Sequence, residues 1–268
     1  MHVKNLIVNI YKTLFFFDLA IVVAYYIPDI KTENPALLTL WREGVFLGVT
    51  LAFTLFFIRA VEKSRLRVFN FKNKLRHYSL GLITAVIPLG VTVLPLLLFK
   101  SLKLNGAQKT SGIVFWLIAL LFEAAANELL LRGYLFKLYR RYYSLPVVTS
   151  VITVLFISLN INVFSHGIIY TLNMLLTNII LCLLAEYSYS LLAPVTARFF
   201  YNLISGFLLG SYTVSAEYPA VINTLWSGNR YLAGGDMKLE GSLILLAANM
   251  AVCAFFILRL KKRKKTTT

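Results

Sequence analysis

Polar and ionisable side chains inside or beside long apolar segments are the residues of this chain that could do chemistry. Such side chains are costly in a bilayer, so they normally face the interior of a helical bundle and mark functional sites. Residues four positions apart share one face of a helix, so Glu123 can reach Asn127 and Glu128 can reach Arg132. Further candidates follow at Asn160, His166, Arg198 and Asn202. Together these residues predict a polar site within the membrane.

Transmembrane helices must position these side chains. Hydrophobic residues make up 59% of the 268 positions and charged residues 14%, which is more apolar surface than a soluble domain can bury. A spanning helix needs about 20 mostly apolar residues. Eight stretches approach or meet that length, near residues 12–28, 44–60, 78–99, 111–131, 145–163, 168–189, 190–211 and 241–259. The predicted fold class is therefore all-α, a polytopic transmembrane helical bundle of about eight helices.

The spacing within these stretches adds local expectations. The 145–163 stretch is the weakest candidate for a full span, and residues 188–191 are expected to form a tight turn. A helical hairpin turning near residue 144 would bring Glu128 and Asn160, each 16 residues from the turn, to one depth. Asp18 is isolated among Phe and Leu and is expected to be a structural partner for another helix.

The positive charge predicts an orientation. The chain has 27 Lys and Arg against 11 Asp and Glu, a net charge of +16, and most of the basic residues fall in segments that are cytoplasmic if both termini are. These include the segment 59–76 and the tail 261–265, which would be attracted to anionic headgroups. We therefore expect a multi-pass membrane protein with cytoplasmic termini, and a bacterial plasma membrane is the default expectation for its location. Membrane lipids are its expected partners, and no nucleic-acid partner is predicted.

Three motifs resemble those of the CAAX-protease and bacteriocin-processing (CPBP) family of intramembrane endopeptidases. That family carries Glu-Glu-x-x-x-Arg, Phe-x-x-x-His and His-x-x-x-Asn on three helices. The corresponding segments here are Asn127-Glu128-Leu-Leu-Leu-Arg132, Phe156-Ile-Ser-Leu-Asn160 and Arg198-Phe-Phe-Tyr-Asn202. The resemblance covers about residues 111–245. It implies three parts: N-terminal helices one to three (1–110), a CPBP-like core of helices four to seven with an outer loop (111–245), and a last helix with a basic cytoplasmic tail (246–268).

The resemblance also implies that the reactive groups are replaced. In the family, the first Glu and the two His activate water and stabilise the tetrahedral intermediate. Those positions are Asn127, Asn160 and Arg198 here, while Glu128, Arg132 and Asn202 are retained. An amide cannot take a proton and an arginine is always protonated. The resemblance thus implies a pseudoprotease that binds a transmembrane, prenylated or peptide client, with Arg198 paired to Glu128 and with no cofactor or metal.

Two other functions remain open from the sequence. An active endopeptidase could use Glu123 or Glu128 as its carboxylate, with His166 as a displaced imidazole if the helix breaks near Asn162. A transporter with a polar site at the membrane midplane is the third candidate. It is ranked last because no inverted repeat is visible.

Overall fold

Helices occupy each of the eight predicted apolar stretches in the computed structural model, which describes residues 2–63, 66, 68, 70, 73–211 and 218–267. The α-helices are α1 (His2–Tyr26), α2 (Pro35–Phe56), α3 (Lys74–Leu98), α4 (Ile113–Glu128), α5 (Phe136–Arg140), α6 (Leu145–Leu159), α7 (Ile168–Ser188), α8 (Leu192–Asn202), α9 (Arg230–Ala233) and α10 (Leu243–Thr267). π-Helical segments lie at Phe57–Val61, Leu129–Leu135 and Leu203–Leu208, and 3-10 helices at Ile161–His166 and Gly235–Gly241. The predicted helical membrane bundle is confirmed.

The lengths of these helices refine the predicted number of spans. Within the described ranges, six helical segments are long and apolar enough to cross a membrane, at residues 7–26, 35–61, 74–98, 113–140, 168–188 and 235–263. The α6 helix has 15 residues and the α8 helix has 11. The sequence overestimated these two because the α6 helix ends before Asn160, and because the helix that begins at Leu192, even with its π-helical continuation, ends at Leu208.

The chain divides into two compact units. Unit 1 comprises residues 1–72 and 112–152, and unit 2 comprises residues 73–111 and 153–268. The three-part division expected from the sequence stays a prediction. The predicted basic segment 59–76 falls partly outside the described residues, and so does the outer loop of the expected core, which the sequence predicts at residues 211–240.

Small residues line the buried side of α4 in unit 1. Ala119, Ala124 and Ala126 are fully buried, and a Cβ placed on Gly44 of α2 would lie 3.6 Å from the ring of Phe122. Small side chains let helices approach closely in a membrane, where packing rather than hydrophobic burial drives their association. The α2 helix therefore packs closely against α4 near Glu123, one of the candidate site residues.

A buried carboxylate connects three segments of unit 1. Glu62, only 5% exposed, forms an ion pair with Lys12 of α1. It accepts a hydrogen bond from the hydroxyl of Tyr134 at 3.3 Å, and a guanidinium nitrogen of Arg141 lies 3.8 Å away. Several donors around one carboxylate offset the cost of removing it from water.

Close backbone approach fixes α3 against α8 in unit 2. A Cβ on Gly81 would lie 2.3 Å from the carbonyl oxygen of Ala193, so only glycine fits at this crossing. The tight turn expected at residues 188–191 is confirmed, because α7 ends at Ser188 and α8 begins at Leu192. Tyr189 completes the turn in a left-handed conformation, with a φ of 53°.

A small sheet of unit 2 was not predicted. Strand β1 (Leu102–Ala107) pairs with β2 (Ile222–Trp226) in antiparallel register, with Leu102 opposite Trp226. The strand β1 contains Lys103, Asn105 and Gly106, so it lacks the sustained apolar alternation that would have indicated a strand. The predicted outer loop therefore carries β2, α9 and a 3-10 helix in its described part.

Candidate functional site

The first motif lies where the helix changes type. The α4 helix ends at Glu128, and residues 129–135 continue it as a π-helix, with backbone hydrogen bonds that span five residues instead of four. The π-helical segment contains Arg132 and is buried throughout. π-Helical insertions are frequent at functional sites.

Glu128 and Arg132 form a buried ion pair in unit 1. A guanidinium nitrogen of Arg132 donates to a carboxylate oxygen of Glu128 at 3.0 Å, and both side chains are 0% exposed. The contact expected from their spacing is confirmed. A charge-assisted hydrogen bond in a dry environment is strong and holds both partners in place.

Glu123 and Asn127 also meet as their spacing predicted. The side-chain amide of Asn127 donates to the carboxylate of Glu123 at 3.2 Å and to the backbone carbonyl of the same residue at 3.0 Å. Glu123 is buried and Asn127 is half-buried. The amide at position 127 is thus directed back along its own helix.

Asn160 terminates α6 in unit 2. The helix ends at Leu159, and Asn160 has a φ of −133° and a ψ of 55°, outside the helical range. Its side-chain amide donates to the carbonyl of Phe156 at 2.8 Å. This bond satisfies one of the carbonyls that every helix leaves open at its C-terminus. The helix breaks two residues earlier than the break near Asn162 that was considered from the sequence.

His166 lies close to Asn160 after this break. The 3-10 helix Ile161–His166 returns the chain so that both residues line a cavity of about 130 Å³, together with Tyr170. The imidazole is half-buried, and its ring centroid lies 5.1 Å from that of Tyr170 in an edge-on arrangement. His166 also lines a larger pocket of about 520 Å³ with Arg230 and Asp236.

Arg198 and Asn202 lie one turn apart on α8. Arg198 is 9% exposed, and Asn202 is the last residue of the helix. A π-helical segment, Leu203–Leu208, begins directly after Asn202. Two motif helices, one in each unit, therefore change to π geometry immediately after a retained motif residue.

The comparisons with known proteins agree with the motifs. Residues 109–204 match the family model described as Rce1-like, type II CAAX prenyl endopeptidase Rce1-like. The chain is a helical membrane protein whose residues 109–204, about a third of its length, are similar to CAAX proteases of the CPBP family. No curated protein matches it in sequence. Residues 205–245 of the expected CPBP core lie outside the match.

The candidate site residues, which comprise the motif positions and the possible substitutes Glu123 and His166, are divided between the two units. Unit 1 holds 123, 127, 128 and 132 as two bonded pairs, and unit 2 holds 160 and 166 on one cavity and 198 and 202 on one helix. The expected pairing of Glu128 with Arg198 joins residues of different units and stays a prediction. No three or more His, Cys, Asp or Glu side chains cluster in a metal-binding arrangement within the described part of the chain.

The sequence reasoning also missed a buried carboxylate in unit 2, that of Glu240. Glu240 is fully buried in unit 2 and accepts a hydrogen bond from the hydroxyl of Ser211. The buried amide of Asn173 donates to the backbone carbonyls of Glu240 at 2.9 Å and of Ser242 at 3.1 Å. A lone acidic residue at the edge of the last apolar run was a signal that could have found Glu240.

Proposed function

We propose that this chain is a CPBP-family pseudoprotease that binds a membrane-embedded or lipidated client without cutting it. The observation that supports the proposal most directly is a hydrogen bond made in the same way by Asn127 and Asn160, two of the three replaced residues. The amides of Asn127 and Asn160 each donate to the backbone carbonyl four residues earlier, at 3.0 Å and 2.8 Å. An amide engaged in this way serves its own helix and has no basic lone pair with which to activate water.

The third replacement supports the same conclusion. Histidine can alternate between acid and base near neutral pH, whereas arginine keeps its proton. Arg198 therefore supplies a fixed positive charge where the family has a group that transfers protons. Its burial on α8 gives this charge a role in binding or pairing.

The retained parts support a binding role. Glu128, Arg132 and Asn202 keep the framework residues of the family, and a fully buried Glu128–Arg132 pair is costly to maintain without a use. The client classes that suit this fold are transmembrane segments, prenylated peptides and other peptides. The distribution of Lys and Arg supports cytoplasmic termini, and the proposal takes a bacterial plasma membrane as the default location.

A farnesylated peptide ending in a CAAX sequence tests the proposal. Purified full-length protein in liposomes is expected to bind this peptide more tightly than the same peptide without the farnesyl group, and mass spectrometry is expected to recover both intact. Cleavage that disappears in Glu128→Gln, Glu123→Gln or His166→Ala, but persists in the exposed control variant Glu33→Gln, would overturn the proposal. Equal binding of the two peptides would contradict the part of the proposal that the client is lipidated.

An active endopeptidase is the second candidate, and one observation favours it. His166 lines the same cavity as Asn160, so an imidazole lies beside the position where the family has its first His. With Glu123 or Glu128 as the carboxylate, this imidazole would be a displaced donor to the oxyanion. The same cleavage assay separates the two candidates, because the pseudoprotease has no product and the endopeptidase loses its product in His166→Ala.

A further inference from the structure

Asp18 lies on the exposed face of α1, near the middle of a candidate membrane span. The span covers residues 7–26, so Asp18 is about 12 Å along the helix from Tyr26 and about 9 Å from Lys12. Its side chain is exposed, although the sequence predicts a contact with another helix. No described residue forms a hydrogen bond or an ion pair with Asp18. The expected structural partner is therefore not within the described part of this chain.

The neighbours of Asp18 form an apolar stripe. Tyr11, Leu14, Phe15 and Val22 lie on the same side of α1, and each is between 46% and 69% exposed. Residues three and four apart fall on one face, so these side chains surround Asp18 along the helix. A carboxylate in the centre of an apolar, membrane-facing stripe is rare, because intramembrane charges almost always face a protein or aqueous interior.

A groove runs beside this stripe. It has a volume of about 760 Å³ and lies between α1 and α2, where Phe15 and Leu19 face Phe53 and Phe56. Its lining is almost wholly apolar, and the one basic side chain among its described lining residues, Lys12, is already paired with Glu62. The groove can hold the apolar side chains of another helix, but its described residues offer Asp18 no unpaired cation.

We propose that the stripe around Asp18 and the adjoining groove dock a transmembrane helix of another protein that carries Lys or Arg near its midpoint. Charge complementarity selects this partner, because a basic side chain at the same depth neutralises the carboxylate and removes it from lipid. A second copy of this chain packed along the same stripe would place Asp18 opposite Asp18. This surface is separate from the CPBP motif positions, and its assignment does not rest on the proposed pseudoprotease function.

Model transmembrane peptides test this docking surface. Labelled full-length protein in liposomes is mixed with a 23-residue Leu-Ala helix that has one central Arg, or with the same helix with Leu in its place. Association is measured by energy transfer. We expect the Arg peptide to bind on the order of tenfold more tightly than the Leu peptide, from the usual strength of one interhelical polar contact. This ratio is expected to fall to about one in Asp18→Leu and to persist in Asp18→Glu.

The controls separate the alternatives. Asp236→Leu removes an exposed aspartate of unit 2 and is expected to leave the ratio unchanged. Equal binding of the two peptides by the native chain would overturn the proposal. Self-association of the labelled protein that disappears in Asp18→Leu would also overturn it, because the occupant would then be a second copy.

Discussion

The residues that resemble the CPBP motifs make different kinds of contacts in the two units. In unit 1, the first motif keeps its Glu128–Arg132 pair at 3.0 Å, fully buried, and the amide that replaces the first Glu bonds to Glu123. In unit 2, Asn160 ends a helix and bonds to its own backbone. In unit 1, Glu128 and Arg132 bond to each other through their side chains. In unit 2, the side chain of Asn160 instead bonds to a backbone carbonyl at the end of its own helix. The contrast is the one that the proposed loss of proton transfer predicts, with paired framework residues in unit 1 and an amide bonded to its own helix in unit 2.

The largest effect is expected at the buried pair of unit 1. Glu128→Gln leaves the charge of Arg132 uncompensated in an apolar environment, and we expect a loss of about 3–5 kcal/mol in the free energy of unfolding. The melting temperature in detergent measures it. Glu128→Gln combined with Arg132→Leu should recover part of the loss, because the unpaired charge is removed as well. An unchanged melting temperature in the single variant would show that the pair does not support the fold.

An intermediate effect is expected where α3 meets α8 in unit 2. Gly81→Ala places a methyl group 2.3 Å from a backbone carbonyl oxygen, which must separate the two helices at a cost of about 1–3 kcal/mol. Gly90→Ala on the same helix is the matched control, since its Cβ would meet nothing within 4 Å. Equal melting temperatures for the two variants would contradict the close crossing that positions Arg198.

The smallest effect is expected at an exposed ion pair of unit 1, which contrasts with the buried one. The Nε–H of Arg42 donates a bifurcated hydrogen bond to both carboxylate oxygens of Asp29, and its Nη2 donates to one of them at 2.7 Å. The hydrogen bond from Arg42 holds the pKa of Asp29 below its ordinary value of 3.8. A carboxyl group whose pKa is lower in the folded state stabilises the fold at pH values above its ordinary pKa. This contribution is lost as the pH falls through the lowered pKa.

Melting curves as a function of pH check this exposed pair. Asp29→Asn should melt slightly below the native chain at pH 7, and the difference should shrink as the pH falls below about 4. High salt should reduce the difference at pH 7 as well, because exposed pairs are screened. A difference as large as that of Glu128→Gln would remove the contrast between the exposed and the buried pair.

The sequence predicted the helices and the contacts that one helix makes with itself. The Glu123–Asn127 and Glu128–Arg132 pairs followed from a four-residue spacing, and the turn after Ser188 followed from the absence of a linker. The sequence did not predict the network around Glu62 or the amide contacts of Asn173. Those contacts join segments that are far apart in the chain, and no local period records them.

The sequence also did not predict where the helices end or where they change from α to π geometry. The π-helical segments that begin at Leu129 and Leu203 continue the apolar pattern of the helices before them, so hydropathy alone could not show the change in hydrogen bonding. The short α6 was expected only as a weak span, and its end at Leu159 depends on the bond from Asn160 to its own helix. Side-chain competition for backbone groups decides such ends.

The central claim is that the site binds a client peptide but cannot cleave it, and a single-turnover measurement tests this claim most directly. Protein in liposomes, in excess over a farnesylated CAAX peptide, is incubated for many hours, and the mass of the bound peptide is then determined. We predict that the peptide remains bound and is recovered at its full mass, because the first-Glu and first-His positions hold amides bonded within their own helices. Recovery of the released C-terminal tripeptide, in an amount that follows the amount of protein and is lost in Glu128→Gln, would contradict this prediction.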